Sequence, residues 1–343
     1  MQEIQKANDF QKQAYELLKE HAKNTLNPYR CKFNPVALAS HYFYKHCPKS
    51  ITYADPFLEH EEKWLIKAMS GGLTYAEPSK LSTGFEYDIN SMYPYLMTQC
   101  QYLNGQPVFH FISDLKNIKE DTYCIIRCKI TSHNKKLFRR NKNNYYCGLD
   151  VKNALEEGYK IELIHDLRPN YMYYPKNTMI PGKEVFGRFV KDMYKMKLNG
   201  APFSKVVLNC LWGKLFEKDV YEVESKYNKQ IDVDHINQVK NIFSYFNEEV
   251  KTNYKFRIYR SLDTKYKLKH IQGRFVPFMT CLGRYKMKHY MKPHLKHTKR
   301  IHTDGFISDT PLDIDCIGNK LGQFKCKSAK CTIQNVNIVK WNL

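Results

Sequence analysis

Ten residues constrain this chain more than any others: Phe85-Glu86-Tyr87-Asp88-Ile89-Asn90-Ser91-Met92-Tyr93-Pro94. The first half alternates apolar and polar side chains around two aromatics, which predicts a strand buried on one face. The run from Ser91 to Pro94 then predicts the start of a helix. Asp88 therefore sits where a strand stops, held by a rigid sheet and facing the open edge of the core. By itself that position serves a helix cap as well as a metal ligand.

Two later stretches weigh on the choice. Phe186, Phe189, Val190, Met193 and Tyr194 make an amphipathic helix that ends near Leu198. Asn199-Gly200-Ala201-Pro202 breaks it, and Phe203 to Lys218 makes a second helix. So short a turn makes the two helices antiparallel. Lys205, Asn209 and Gly213 are spaced by four and share one face of the second helix, while Lys197 closes the first. Long cations on a helical hairpin suit a triphosphate, because an ammonium meets spread negative charge without a fixed fork geometry; a solvated lysine face is the bland alternative. In the third stretch, Arg300 to Ser308, two apolar runs flank Asp304-Gly305 and predict a tight β-hairpin with Asp304 at its tip.

The rest of the chain frames these stretches. Residues 1 to about 23 carry a helical apolar stripe, and Pro28, Pro35 and Pro48 break the segment 26 to 60 into short pieces, with Val36 to Tyr44 the most helical. Gly71-Gly72 predicts either a tight turn or a close backbone approach to an anion. Tyr123 to Thr131 predicts a strand, followed by a short helix over Leu155 to Tyr159 and a strand over Ile161 to Ile164. Cys124 and Cys128 share a face of the first strand, but no second Cys or His pair stands near at zinc-ligand spacing. Asp219 to His270 is charged and irregular and predicts an insertion. Phe275 to Met287 is helical again, and His289, His294, His297 and His302 lie in a lysine-rich run that favours phosphate contact over metal binding.

Charge narrows the partner. The 343 residues carry 55 Lys and Arg against 34 Asp and Glu, a formal +21 spread along the whole length, with 14% aromatic residues interleaved. That field favours nucleic acid. With 43% hydrophobic residues the chain can bury a core, yet no run approaches the ~18 apolar residues of a membrane span. Eleven Cys without a paired framework, and a start without a secretory apolar segment, predict a reducing, intracellular compartment.

Two carboxylates from separate strands can bridge a pair of Mg²⁺ ions, with Mn²⁺ as a substitute, and paired metals suit in-line phosphoryl displacement. Asp88, Asp304 and the lysine-bearing hairpin together predict nucleotidyl transfer. At this point a resemblance enters. Asp88-Ile89-Asn90-Ser91-Met92-Tyr93-Pro94 resembles the first polymerase motif of the family B DNA polymerases. Lys205 to Gly213 is similar to the second motif. His302-Thr303-Asp304-Gly305 is similar to the third, normally Asp-Thr-Asp-Ser, and Met69 to Gly72 resembles the Tyr-x-Gly-Gly element that contacts template. The short spacing between motifs resembles the protein-primed branch of phages, viruses and linear plasmids.

The resemblance implies an α+β fold: a palm of antiparallel sheet backed by helices, with a helical hairpin as fingers, no exonuclease domain and a reduced or absent thumb. Its implied divisions are a helical segment over 1–65 similar to the tail of an exonuclease domain, a first palm part over 66–182 with an insertion, fingers over 183–218, an insertion over 219–270 and a second palm part over 271–343. Asp88, Asp304 and the Ile89 carbonyl would bind two metal ions. Tyr93 would stack under the sugar and exclude a ribose 2′-hydroxyl; Lys205 and Lys197 would hold the triphosphate; Asn209 and Trp212 would border the nascent base pair. Gly71, Gly72, Arg284, Lys325 and Lys330 would contact template or primer. His302 departs from the family's acid, Cys210 from its Ser, Trp212 from its Tyr and Met69 from its Tyr. The implied partners are template and primer DNA, dNTPs, a terminal protein as primer and a second chain supplying exonuclease or thumb, with no membrane. The competing reading is a catalytically degenerate polymerase-like protein that binds nucleic acid; the lack of a Tyr-x-Asp-Asp hairpin argues against a reverse transcriptase.

Overall fold

The computed structural model describes residues 34–52, 54–131, 134–201, 204–218 and 267–342. The helix expected over residues 1–23 and most of the expected insertion, 219–266, lie outside them. The longer helices are α1 (Pro35–His46), α2 (Glu61–Ala68), α3 (Met92–Gln99), α4 (Gly148–Glu156), α5 (Gly182–Leu198), α6 (Ser204–Leu215) and α7 (Val276–Met291). The strands are β1 (Thr74–Ala76), β2 (Ser79–Ile89), β3 (Gln101–Leu103), β4 (Val108–His110), β5 (Cys124–Thr131), β6 (Tyr145–Cys147), β7 (Lys160–Leu163), β8 (Tyr171–Tyr173), β9 (Met179–Pro181), β10 (Thr298–His302), β11 (Gly305–Ser308), β12 (Phe324–Ile333) and β13 (Val339–Asn342).

A six-stranded sheet in the order β1-β10-β11-β2-β12-β13 carries the fold, and each of its pairs is antiparallel. Its two faces follow from the alternation along β2. Tyr87 and Ile89 point to one side, where they are buried with Ile301, Phe306 and Phe324. Tyr87 stacks on Phe306 at 5.2 Å, and Tyr290 of α7 meets Phe324 edge-on at 5.0 Å. Helices α3 and α7 cover this side, crossing where Gly283 leaves room: a side chain there would begin 3.1 Å from Leu96. Glu86 and Asp88 point to the other side.

The second sheet, β4-β8-β5-β6, is built from the residues between α3 and α5, with β7 pairing the far end of β5. β5 is buried on both faces over Cys124 to Cys128, so Cys124 and Cys128 are core residues beside Ile126. All described cysteines are free thiols. Helices α5 and α6 form the expected antiparallel hairpin, turning at Gly200 with φ +73°, a conformation that favours glycine. Helix α1 lies across both, with Phe43 stacked on Phe186 at 5.3 Å.

Arg274 and Glu61, both without solvent exposure, join the front of α2 to the turn before α7. The arginine also donates to the carbonyls of Asp55 and Pro56, and Tyr174 donates to Glu61 at 2.7 Å. Every polar atom of the buried pair thereby finds a partner, the condition under which such a pair is tolerated. No described helix is long and apolar enough to cross a membrane.

Candidate active site

The Asp88 face of the large sheet reads as rows. Across five adjacent strands, Thr74, His302, Gly305, Asp88 and Lys325 stand directly opposite one another, so their side chains share one face. The next row holds Ala76, Arg300, Ile307, Glu86 and Lys327. Lys327 pairs with Glu86 at 2.6 Å and lies over the Trp341 ring at 4.6 Å.

Asp304 enters from the two-residue turn between β10 and β11, which Thr303 makes possible by adopting φ 62°. The backbone ties this turn to the end of β2: Ile89 N–H donates to the Asp304 carbonyl at 2.8 Å. Two acids more than two hundred positions apart are thus adjacent. Asp88 is open to solvent at its carboxylate end, yet the cleft behind it strips enough water to raise its pKa to about 6, with the Asp304 and Glu86 carboxylates adding to the rise and Lys205 and Lys325 opposing it. Burial also raises Asp304, against its own backbone N–H, His302 and Lys205. Paired acids that lose hydration and repel each other are suited to a divalent cation, which relieves both penalties at once. Hard carboxylate oxygens fit Mg²⁺ or Mn²⁺ in kind.

Two lysines of the helical hairpin act on the site. Lys205 acts on both acids, and Lys197 is depressed by burial and by Lys325 and Lys205, with Asp88 opposing. Lys197 donates to the Ser91 hydroxyl at 2.9 Å. That contact explains Ser91 better than a cap does: it sits at φ 50° and makes no capping bond, and α3 begins one residue later. Tyr93 in the first turn of α3 lies 4.7 Å from Trp212 of α6, and burial pushes its hydroxyl up to about 12. Asn209 returns its amide to the Lys205 carbonyl at 2.7 Å, so its side chain serves the helix. Lys330 stands opposite Asn342 at the outer strand pair, roughly 16 Å along β12 from Lys325.

The structure corrects one assignment. Arg284, expected to touch the nucleic-acid backbone, is 2% exposed. Its guanidinium meets both oxygens of Asp150 at 2.9 and 2.6 Å and donates to the carbonyls of Ser70 and Gly71 at 2.6 and 3.0 Å. It props the Gly71-Gly72 segment from below. Asp150 also belongs to the one group among the described residues whose three candidate ligand atoms lie within 4.8 Å of each other, with Cys147 and Cys281. Because Arg284 takes both Asp150 oxygens, that group is an ion pair lined by thiols.

Three contributors escaped sequence reasoning. Arg139 donates to the Gly72 carbonyl at 2.7 Å from the exposed side. Thr303 N–H donates to the Leu73 carbonyl at 2.9 Å, so the glycine segment and the Asp304 turn are packed together. Gly305 leaves open the space beneath Asp88. Gly305 was legible as a turn residue, but what it and the other two do here is defined by partners far away in sequence.

Gly72 does not need a left-handed backbone; it needs the absence of a side chain, since a Cβ there would lie 2.8 Å from the Thr303 Cα. At Gly71 the nearest atom is the mobile end of Arg139 at 3.7 Å. Gly72→Ala is therefore expected to displace the Asp304 turn, costing about 1–3 kcal/mol and a larger fraction of turnover, while Gly71→Ala is close to neutral. Thermal melting alongside single-nucleotide incorporation checks the pair.

The chain is similar to known proteins in sequence and in fold. A family model for DNA polymerase type B, organellar and viral, matches residues 36–295. A probable DNA polymerase of Agaricus bitorquis is 26% identical over 299 residues, covering 73% of this chain and 36% of that protein. One of Podospora anserina is 24% identical over 291 residues, covering 70% and 22%. The chain thus spans well under half the length of these curated relatives. Phi29 DNA polymerase complexed with single-stranded DNA superposes with a TM-score of 0.63 at 16% identity, over 94% of this chain and 57% of that one. The Phi29 ternary complex with primer-template DNA and incoming nucleotide gives 0.60 at 15% identity, over 88% and 55%. The structural likeness establishes a polymerase-core fold, and the family match, which extends across most of the sequence, places this chain among the organellar and viral type B DNA polymerases.

Proposed function

We propose that this chain is the catalytic core of a template-directed DNA polymerase that transfers a dNMP to a primer hydroxyl. The observation that carries the reading is the adjacency of Asp88 and Asp304, fixed by the Gly305–Asp88 register and the Ile89 to Asp304 hydrogen bond. Asp88, Asp304 and the Ile89 carbonyl would hold two Mg²⁺ ions, which supply Lewis-acid activation of the primer hydroxyl and charge neutralisation at the leaving pyrophosphate. Lys205 and Lys197 orient the triphosphate from the helical hairpin, and Lys325 reaches the same space from the sheet. Tyr93, backed by Trp212, is placed to meet the sugar. Arg300, Lys325 and Lys327 on this face of the sheet, with Arg139 beside the glycine segment, give the nucleic-acid backbone a cationic floor. The likeness to Phi29 polymerase complexed with DNA and with incoming nucleotide supports DNA and dNTPs as partners.

The short spacing between motifs, which resembles the protein-primed branch, supports a protein hydroxyl as an alternative primer, with a terminal protein as partner; a second chain would supply exonuclease or thumb. The test is extension of a labelled primer–template by one complementary dNTP in Mg²⁺. Salt-sensitive DNA binding with no extension would favour the reading as a binding protein without turnover. Tyr93→Ala is expected to raise rNTP incorporation relative to dNTP, because the ring then no longer fills the space a 2′-hydroxyl would need; the ratio of the two incorporation efficiencies measures it.

A further inference from the structure

His302 stands where the family's third motif carries an acid, and its surroundings give that exchange a chemical meaning. It shares a row with Asp88, separated by Gly305 alone. Two strand spacings put the His302 and Asp88 backbones about 10 Å apart. No side chain fills the space between them, and none can: a Cβ on Gly305 would lie 2.8 Å from the Tyr87 carbonyl. Asp88 already leans into that space, its Oδ1 3.1 Å from where the Cβ would be. The His302 side chain rises from the same face of the sheet on the far side of Gly305. The ring is exposed and makes no hydrogen bond or ion pair with any described residue. His302 stands two residues before Asp304, at the end of the strand that opens into the Asp304 turn. Asp88 and the His302 imidazole thus flank one glycine, with Asp304 in the turn next to it.

We propose that His302 supplies an imidazole nitrogen to the ion held by Asp88 and Asp304, and that this donor set favours Mn²⁺ over Mg²⁺. The proposal rests on the reading of the two aspartates as metal ligands. Mg²⁺ is hard and demands oxygen at near-ideal octahedral positions, so a nitrogen ligand gains it little. First-row transition ions accept imidazole. Among them Mn²⁺ also keeps the oxygen-rich coordination that two carboxylates and a triphosphate provide. Because the three donors do not lie within 4.8 Å of one another in the structure, the free ring turns inward as the ion enters.

Nitrogen modulation of the electron spin echo from Mn²⁺ bound to the intact protein tests this without turnover. The expected result is a histidine nitrogen signal in the wild type that disappears in His302→Ala, with Mn²⁺ affinity falling about tenfold and Mg²⁺ affinity unchanged. His302→Asp should shift preference back toward Mg²⁺. Bound Mn²⁺ that is lost in Asp88→Asn but shows no nitrogen signal in the wild type overturns the role of His302 and leaves the aspartates standing. A nitrogen signal that persists in His302→Ala overturns it as well. Mn²⁺ binding indifferent to Asp88→Asn overturns the reading of the aspartates themselves, and the wild-type echo decides the matter even where a variant folds poorly.

Discussion

Asp88→Asn is expected to lower single-nucleotide incorporation by on the order of 10³-fold, about 4 kcal/mol of transition-state stabilisation, while DNA affinity is retained. The substitution keeps the shape of the side chain and removes only its charge, so the metal loses a ligand while the sheet loses nothing. Stability should not fall. The Asp88 carboxyl is raised to about 6 from 3.8 by lost hydration and by the Asp304 and Glu86 carboxylates, so the metal-free fold binds more protons than the unfolded chain between those values. Its stability therefore declines as pH rises through that window, and the Asn variant loses that decline. The same shift gives the wild type a signature in metal binding. Below pH 6 the ion must displace a proton from Asp88, so apparent affinity rises with pH up to about 6 and then levels. Calorimetric Mg²⁺ titrations across pH 5–8, with incorporation assays on both proteins, check the two halves of the prediction. A variant that extends primers at the wild-type rate would remove Asp88 from the chemistry.

What the sequence disclosed and what it withheld divide along the reach of the interactions. Asp88 at a strand end and Asp304 at a hairpin tip were legible because period-two alternation and an Asp-Gly turn are written in consecutive residues. The helical hairpin was legible for the same reason, through its 3.6-residue stripe and its glycine break. The role of Gly72 was not, because its lack of a side chain matters only against Thr303, which lies far along the chain. Ser91 read only as the start of a helix, and it receives Lys197 from the hairpin. His297, grouped by composition with phosphate-seeking histidines, lies 3.0 Å from Asp309. In each case a residue type with an ordinary local meaning was reassigned by a partner that only the tertiary fold brings near.

Arg284 is the sharpest instance, and its two readings predict opposite outcomes. A cation on the nucleic-acid track contributes to affinity through counterion release, so removing it should lower the salt slope of DNA binding by about one and leave stability alone. A buried arginine bonded to Asp150 should do the reverse. Arg284→Met leaves the Asp150 carboxylate buried without its partner and the carbonyls of Ser70 and Gly71 without a donor, a loss of about 3–5 kcal/mol. The geometry favours the second outcome, since the guanidinium is 2% exposed and its hydrogen bonds run to Asp150, Ser70 and Gly71. Denaturant unfolding of Arg284→Met should show that loss, and salt-dependent DNA binding by the protein that remains folded should keep the wild-type slope, while exposed Lys325→Ala should reduce it. Adding Asp150→Leu to Arg284→Met should recover part of the stability, because two apolar groups leave no stranded charge. It should not recover incorporation, because Ser70 and Gly71 would still lack the donor that holds the glycine segment against the Asp304 turn.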